Sequence, residues 1–282
     1  MSKPVYITAD STCDLPQELK ERLGVKTVPL HVTIGQDNYL DGESISPDLI
    51  FERYNQEKLL PTTAAVSPQE FEDFFRPMVE EGCEVVHFDI SSELSGTYQN
   101  AVIASQEFDG VYPVDSRHLS NSISLLMMEA CRLRDQGKSA AEIVQAIQEL
   151  IPRVRTSFVL DTLEYMWKGG RCSGVAAFGA NLLSLKPCIE MQEGKLDVCK
   201  KYRGKIGKVY EKYIEERLTG QKVYGGAVIV VSSDLLPQET RDKLEALIRS
   251  LVSVEEVLFA RTGSTVCSHC GPGTLGVMYI EA

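Results

Sequence analysis

The sequence predicts an α/β protein in two domains: an N-terminal, mostly parallel sheet with helices on both faces, then a C-terminal domain of mixed α and β segments. Strand–loop–helix units recur through the first half, and CEVVHFDI over 83–90 is a buried-looking strand of that series, the pattern of parallel strands with covering helices. The pattern then changes, because KPCIEMQ and LDVCKKY flank Glu193-Gly194 as an antiparallel hairpin. A chain of 282 residues suits two modest domains of ~100–200 residues each. The boundary is expected near 152–156, giving domains 1–154 and 155–282.

Each element has a local reason. VYITAD (5–10) reads as a strand, and Asp14, with Pro16 in the first turn and Gln17 three residues on, reads as the cap of a helix over 16–23. The stretch 25–34 is β-like and ends at a Gly35 turn. Ser46-Pro47 and Ser67-Pro68 open helices that run to 56 and 81. After strand 83–90, the loop SSELSGT enters a helix to 107, and strand 110–116 precedes helices over 120–136 and 139–150. The second half holds strand 156–162, the hairpin, helix 204–218, the buried strand AVIVV, helix 237–251 and the strands VEEVLFAR and TLGVMYIE. In a parallel sheet, ligands gather at the carboxyl ends of the strands, so loops 10–14, 91–97 and 115–120 should share one functional edge.

Composition excludes several classes. The net charge of −11 is a poor footprint for nucleic acid, whose binding relies on Lys and Arg neutralising phosphates. No apolar run reaches the ~18 residues that span a bilayer, and MSKPVYITADS lacks a secretory pattern, so a cytoplasmic location is expected. Residues 200–222 are locally basic, with eight Lys and Arg against three Glu (8 − 3 = +5). A solvated helix face is the preferred reading; the sharper one is a docking patch for an acidic partner or transient contact with an anionic membrane surface. The eight cysteines are scattered in apolar context, as in reduced cytosolic proteins. Cys267 and Cys270 have no second ligand pair, so no metal site is expected.

Four loops carry hydroxyls, glycines or cations. In LPTTAAVSP, Thr62 and Thr63 precede a helix start, and adjacent residues point apart. In SSELSGT, Ser95, Gly96 and Thr97 sit where a loop enters a helix, where free N–H groups attract anions; simple capping by Ser95 is the alternative, and the glycine favours anion binding. In MWKGGRCSG, two glycines before Arg171 form either an anion-binding nest or a helix C-cap beside a surface arginine. His269 precedes Gly271-Pro272-Gly273 in a glycine-rich loop before the last strand. Together these groups suit an anion. No nucleotide fingerprint and no nucleophile elbow is present. The small-residue stretch 173–185, with Phe178, Leu182 and Leu183, would either close helices together or line an apolar channel, and ISLLMMEA (123–130) offers adaptable methionines to such a channel.

The segments ITADSTCDLP, TTAAVSPQEF, SSELSGTYQNA, VDSRHLS, LDTLEYMWKGGR, LKPCIEMQEGKL and SHCGPGTLGV, in this order, resemble the DegV family of bacterial fatty-acid-binding proteins nearly end to end. The resemblance implies two α/β domains with a single long-chain fatty acid, such as palmitate, stearate or oleate, between them. It implies a non-catalytic protein without further cofactor, which holds the acid while a fatty acid kinase catalytic subunit phosphorylates its carboxylate for phospholipid synthesis. By position, Thr63, Ser95 and Gly96 would bind the carboxylate, with Arg171 and His269 around it and Thr62 and Thr97 as additional candidates. The chain departs from the family at Ala64 and Ala65, which replace polar residues, and at Ser122 and Ser124, which replace glycines. Two other readings stay open: a lipid esterase using Ser95 and His269, and a regulatory protein whose lipid is structural.

Overall fold

The computed structural model describes residues 3–172 and 185–282. In chain order the elements are β1 (Val5–Asp10), α1 (Gln17–Leu23), β2 (Lys26–Val28), β3 (His31–Ile34), β4 (Asp37–Leu40), α2 (Pro47–Glu57), β5 (Thr62–Ala64), α3 (Pro68–Glu80), β6 (Glu84–Asp89), α4 (Thr97–Ser105), β7 (Val111–Asp115), α5 (Asn121–Asp135) and α6 (Ala140–Leu150). They continue with β8 (Val154–Val159), α7 (Glu164–Gly169), β9 (Leu185–Gln192), β10 (Lys195–Arg203), α8 (Ile206–Leu218), β11 (Val223–Ser232), α9 (Gln238–Leu251), β12 (Glu256–Arg261), α10 (Ser264–Cys270) and β13 (Leu275–Glu281).

The fold is mixed α/β. A parallel sheet has the order β2-β1-β6-β7, and a mixed sheet the order β10-β9-β8-β13-β11-β12. Alternation along β6 sorts its two faces. Val85 packs with Phe71 and Phe75 of α3 and Ala101 of α4, whereas Val86 and Phe88 join Ile123, Leu126 and Met127 of α5 in the largest cluster. That cluster continues into Phe158, Ile229, Val231 and Met278 of the mixed sheet. Helix α5 therefore lies between the two sheets and is buried on both sides, which is why its sequence is apolar around most of its circumference. The far face of the mixed sheet is covered by α8 and α9 through Tyr213, Ile214, Leu244 and Ile248. Each such large side chain contributes roughly 1.5–3 kcal/mol on full burial.

Several expected helix starts are observed. Ser46 accepts from Leu49 N, and Ser67 forms a reciprocal box with Glu70, each cap stabilising its helix by about 1 kcal/mol. The hairpin is also as expected: Glu193 (φ 49°) and Gly194 (φ 84°) both adopt the left-handed conformation a tight two-residue turn demands.

Three expectations are corrected. Asp14 does not cap α1, whose N-cap is Pro16 without a side-chain bond. Its carboxylate accepts from Ser120 Oγ at 2.5 Å and Gly263 N at 2.8 Å instead, long-range partners that outcompete the local one. Thr62–Ala64 is a strand, not a loop; it pairs with β3 in a small antiparallel sheet, order β4-β3-β5. His269 lies in the last turn of α10 rather than in a glycine loop.

Candidate binding site

The carboxyl ends of the parallel strands do share one edge. Ser91 N donates to His118 O at 2.8 Å, and Asn121 Nδ2 donates to Asp14 O at 3.0 Å. Against this edge lies a cavity of about 400 Å³, walled by Ile90, just past the end of β6, and by Phe158, Val231 and Met278 of the mixed sheet. That volume is within the range of small-molecule sites. Leu30, Leu94, Leu119, Met166, Leu196 and Val266 add apolar surface.

Thr63, Ser95, Gly96, Arg171 and His269 all line this cavity. Thr63 Oγ1 and His269 Nε2 are 2.9 Å apart, and His269 Nδ1 is buried with no partner. Burial, reinforced by the Arg171 charge, pushes the imidazolium of His269 down to about 4, so the ring is neutral at pH 7. A neutral ring donates from one nitrogen and accepts at the other. Gly169 explains the paired glycines before Arg171: a Cβ there would fall 2.4 Å from His269 Nδ1. Gly170, at φ 69°, is the C-cap of α7, and Arg171 Nη1 donates to Gly169 O at 2.7 Å. The C-cap reading of this loop is thus the observed one, and Arg171 still borders the cavity.

Ser95 Oγ lies 2.8 Å from Thr97 Oγ1 and accepts from Thr97 N at 3.2 Å. Gly96 is the N-cap of α4, and a Cβ placed on it would meet nothing within 4 Å. The helix start is open toward the cavity. Thr97 itself is fully buried and does not line it. Thr62 is exposed, opposite Thr33 in the β3–β5 ladder, and also lies outside the lining.

The methionine expectation is corrected: Met127 is buried in the core, and Met166 and Met278 line the cavity instead. Ala64 and Ala65 are part of the lining, whereas Ser122 and Ser124 bond to Thr156 Oγ1 and Cys13 O. Phe178, Leu182 and Leu183 lie outside the described residues. The sequence reading missed Thr265, a cavity-lining residue whose buried hydroxyl has no partner. It stands four residues before His269, on the same face of α10; recognising that helix would have revealed it.

Asp14 and Asp41 hold the start of α10, accepting from Gly263 N at 2.8 Å and Ser264 N at 2.7 Å. Burial raises the Asp14 carboxyl well above the usual range. Elsewhere, Lys200, Lys208 and Arg217 of the basic segment are ion-paired with Glu216, Glu211 and Glu190. These pairs fit the solvated-face reading. No cluster of metal ligands occurs among the described residues, and no helix among them is long and apolar enough to cross a membrane.

The DegV family model, described as that of an uncharacterised protein family, matches residues 4–282. The chain belongs to the DegV family. It is 32% identical over 282 residues to a DegV domain-containing protein of Clostridium acetobutylicum, covering 98% of each chain. A DegV family protein of Thermus thermophilus, described by its fatty acid binding, superposes with a TM-score of 0.87 at 33% identity and 100% coverage of both chains. A Thermotoga maritima protein whose structure is described as revealing fatty acid binding function gives a TM-score of 0.84 at 28% identity, covering 99% of this chain and 100% of that one. The mixed α/β fold of this DegV-family chain is therefore that of solved fatty-acid-binding relatives. The Ser95–His269 hydrolase reading gains no support from the geometry, because Ser95 bonds to Thr97 and His269 to Thr63.

Proposed function

We propose that this chain binds one long-chain fatty acid of the palmitate, stearate or oleate class between its two sheets and presents the carboxylate to a fatty acid kinase catalytic subunit. The observation that carries the reading is a single cavity with apolar walls from the mixed sheet and from Ile90 at the end of the parallel sheet, and Thr63, Ser95, Gly96, Arg171 and His269 on its lining. Burying an acyl chain stabilises the complex by about 0.8 kcal/mol per methylene, against an opposing cost of several kcal/mol for ordering and lost free motion. Apolar burial thus supplies affinity. The hydroxyls, the Gly96 N–H and the arginine fix the orientation of the carboxylate without a covalent bond, leaving it open to phosphorylation. In this reading the kinase supplies the chemistry, and the protein works in the cytoplasm with no cofactor other than its ligand.

Organic extracts of the purified protein should contain fatty acid by mass spectrometry, and delipidated protein should take up oleate or palmitate. The double variant Thr63→Ala, Ser95→Ala should fold normally, retain acid poorly and support little acyl-phosphate formation with the kinase. Absence of lipid and of uptake would remove the binding role. Intact binding without phosphorylation by any fatty acid kinase would remove the presenting role alone.

A further inference from the structure

The hairpin of β9 and β10 carries a thiol pair that the binding reading does not use. Cys188 on β9 is buried, and Cys199 on β10 is the exposed member of the eight cysteines. The ladder between the two strands is irregular at this point: Val198 pairs with Ile189 and Lys200 with Cys188, so Cys199 is an extra residue in a bulge. A bulge re-aims its side chain, and the Cys199 thiol is turned back across the hairpin, where it donates to Cys188 O at 3.4 Å. Arg217 of α8 donates through Nη2 to Cys188 Sγ at 3.2 Å and also contacts Cys199 Sγ through the same nitrogen. The guanidinium is itself anchored by Glu190 Oε2, 3.0 Å from Nη1. Two sulfurs that share one guanidinium nitrogen lie within reach of each other.

We infer that Cys188 and Cys199 form a peroxide-sensitive dithiol, poised by Arg217 to close into a disulfide. A guanidinium beside a thiol favours the thiolate, which is the reactive form. Cys188 is lowered by its bond to Cys199 and by the Arg217 charge, and Cys199 is raised by that same bond and by burial, so the pair loses its first proton from Cys188 and shares the remaining one across the thiol–thiol bond. The exposed sulfur meets the oxidant, a hydrogen or alkyl peroxide. Cys199 passes its proton to the Cys188 thiolate across the bond between them and attacks the nearer peroxide oxygen; the O–O bond breaks, and the leaving oxygen takes a proton from solvent and departs as water or an alcohol. The resulting Cys199 sulfenic acid is attacked by Cys188: the S–S bond forms, the S–O bond breaks, and water leaves with the Cys188 proton. One peroxide is reduced per two thiols oxidised.

Cys13, Cys131 and Cys267 are set differently. Burial pushes Cys13 up to about 12 and Cys131 up to about 11, and Cys267 is raised well above its usual value by burial and its neighbour Cys270. The cross-link would also fix the strand that brings Leu196 to the cavity wall.

The test treats the full chain with hydrogen peroxide, alkylates the remaining thiols and maps peptides without reduction. The expected product has six alkylated cysteines (8 − 2) and a linked Cys188–Cys199 peptide that dithiothreitol releases. Cys188→Ser should leave a sulfenic acid at Cys199 that dimedone traps. Arg217→Gln should slow cross-linking severalfold with less thiolate absorbance, and Arg217→Lys should recover part of the rate. A cross-link at Cys267–Cys270 instead, or Cys188 and Cys199 both alkylated after exposure, would overturn the inference. So would a Cys199→Ser variant that loses thiols to peroxide as fast as the parent. Because Cys199 is exposed, that variant and the parent map decide the matter even if the others fold poorly.

Discussion

His118 and His269 share a burial-lowered pKa of about 4, yet their surroundings differ in kind. Behind β7, His118 is bonded at both nitrogens, Nδ1 to Thr156 Oγ1 at 2.8 Å and Nε2 to Ile151 O at 3.1 Å. His269 is bonded only at Nε2, by Thr63, and its free nitrogen sits beside a cavity. A shifted pKa therefore does not mark a site on its own. What separates a structural ring from a cavity-facing one is the unfilled hydrogen-bonding capacity that remains after folding.

The sharpest way to break this contrast is His118→Ala. It leaves Thr156 Oγ1 and the Ile151 carbonyl without their histidine partner in a buried setting, and a loss of about 3 kcal/mol in denaturant unfolding is expected, with acid uptake per folded molecule unchanged. Altered uptake would assign His118 to the site.

Titration sharpens it further. Between pH 6.5 and 4 the unfolded chain protonates His118 and the folded chain does not, so this residue lowers stability as pH falls. The loss amounts to about 2 kcal/mol from pH 6.5 to pH 5. Asp10 works in the opposite direction: burial, then Asp89, push it up to about 7, so the folded state gains stability as pH falls toward 3.8. Comparing the parent with His118→Gln cancels Asp10, and the stability gap between them should narrow on acidification. A gap that does not change with pH would show that His118 titrates alike in both states.

The smallest expected effect is at Gly169→Ala, where the added methyl would press on His269 Nδ1. Displacing the ring should weaken fatty acid binding about tenfold, or 1.4 kcal/mol, measured by displacement of a fluorescent acid. Unchanged affinity would separate His269 from the bound head group.

Much of this architecture was legible because its cues are local. Ser67 and Glu70 make a box three residues apart, and the β6 segment is strand-like over its whole length. The misreadings fall where tertiary contacts decide. Thr62–Ala64 is three residues long, too short for periodicity to register, and becomes a strand only because β3 offers a ladder. The α10 sequence STVCSHC has few strong helix formers; its buried face and the carboxylates of Asp14 and Asp41 make it helical. Ser95 and Thr63 were readable as loop hydroxyls, but Thr265 was not, since its position depends on that unrecognised helix.

The Asp14 carboxylate also has a kinetic consequence. It joins positions 249 residues apart, among the most non-local contacts the chain can make. During synthesis the parallel sheet emerges complete, while the acceptor waiting at Asp14 stays empty until Gly263 leaves the ribosome. The pocket end of the molecule is thus expected to be the last part to set, and a nascent chain stalled before that point would carry a folded sheet with its cavity still unformed.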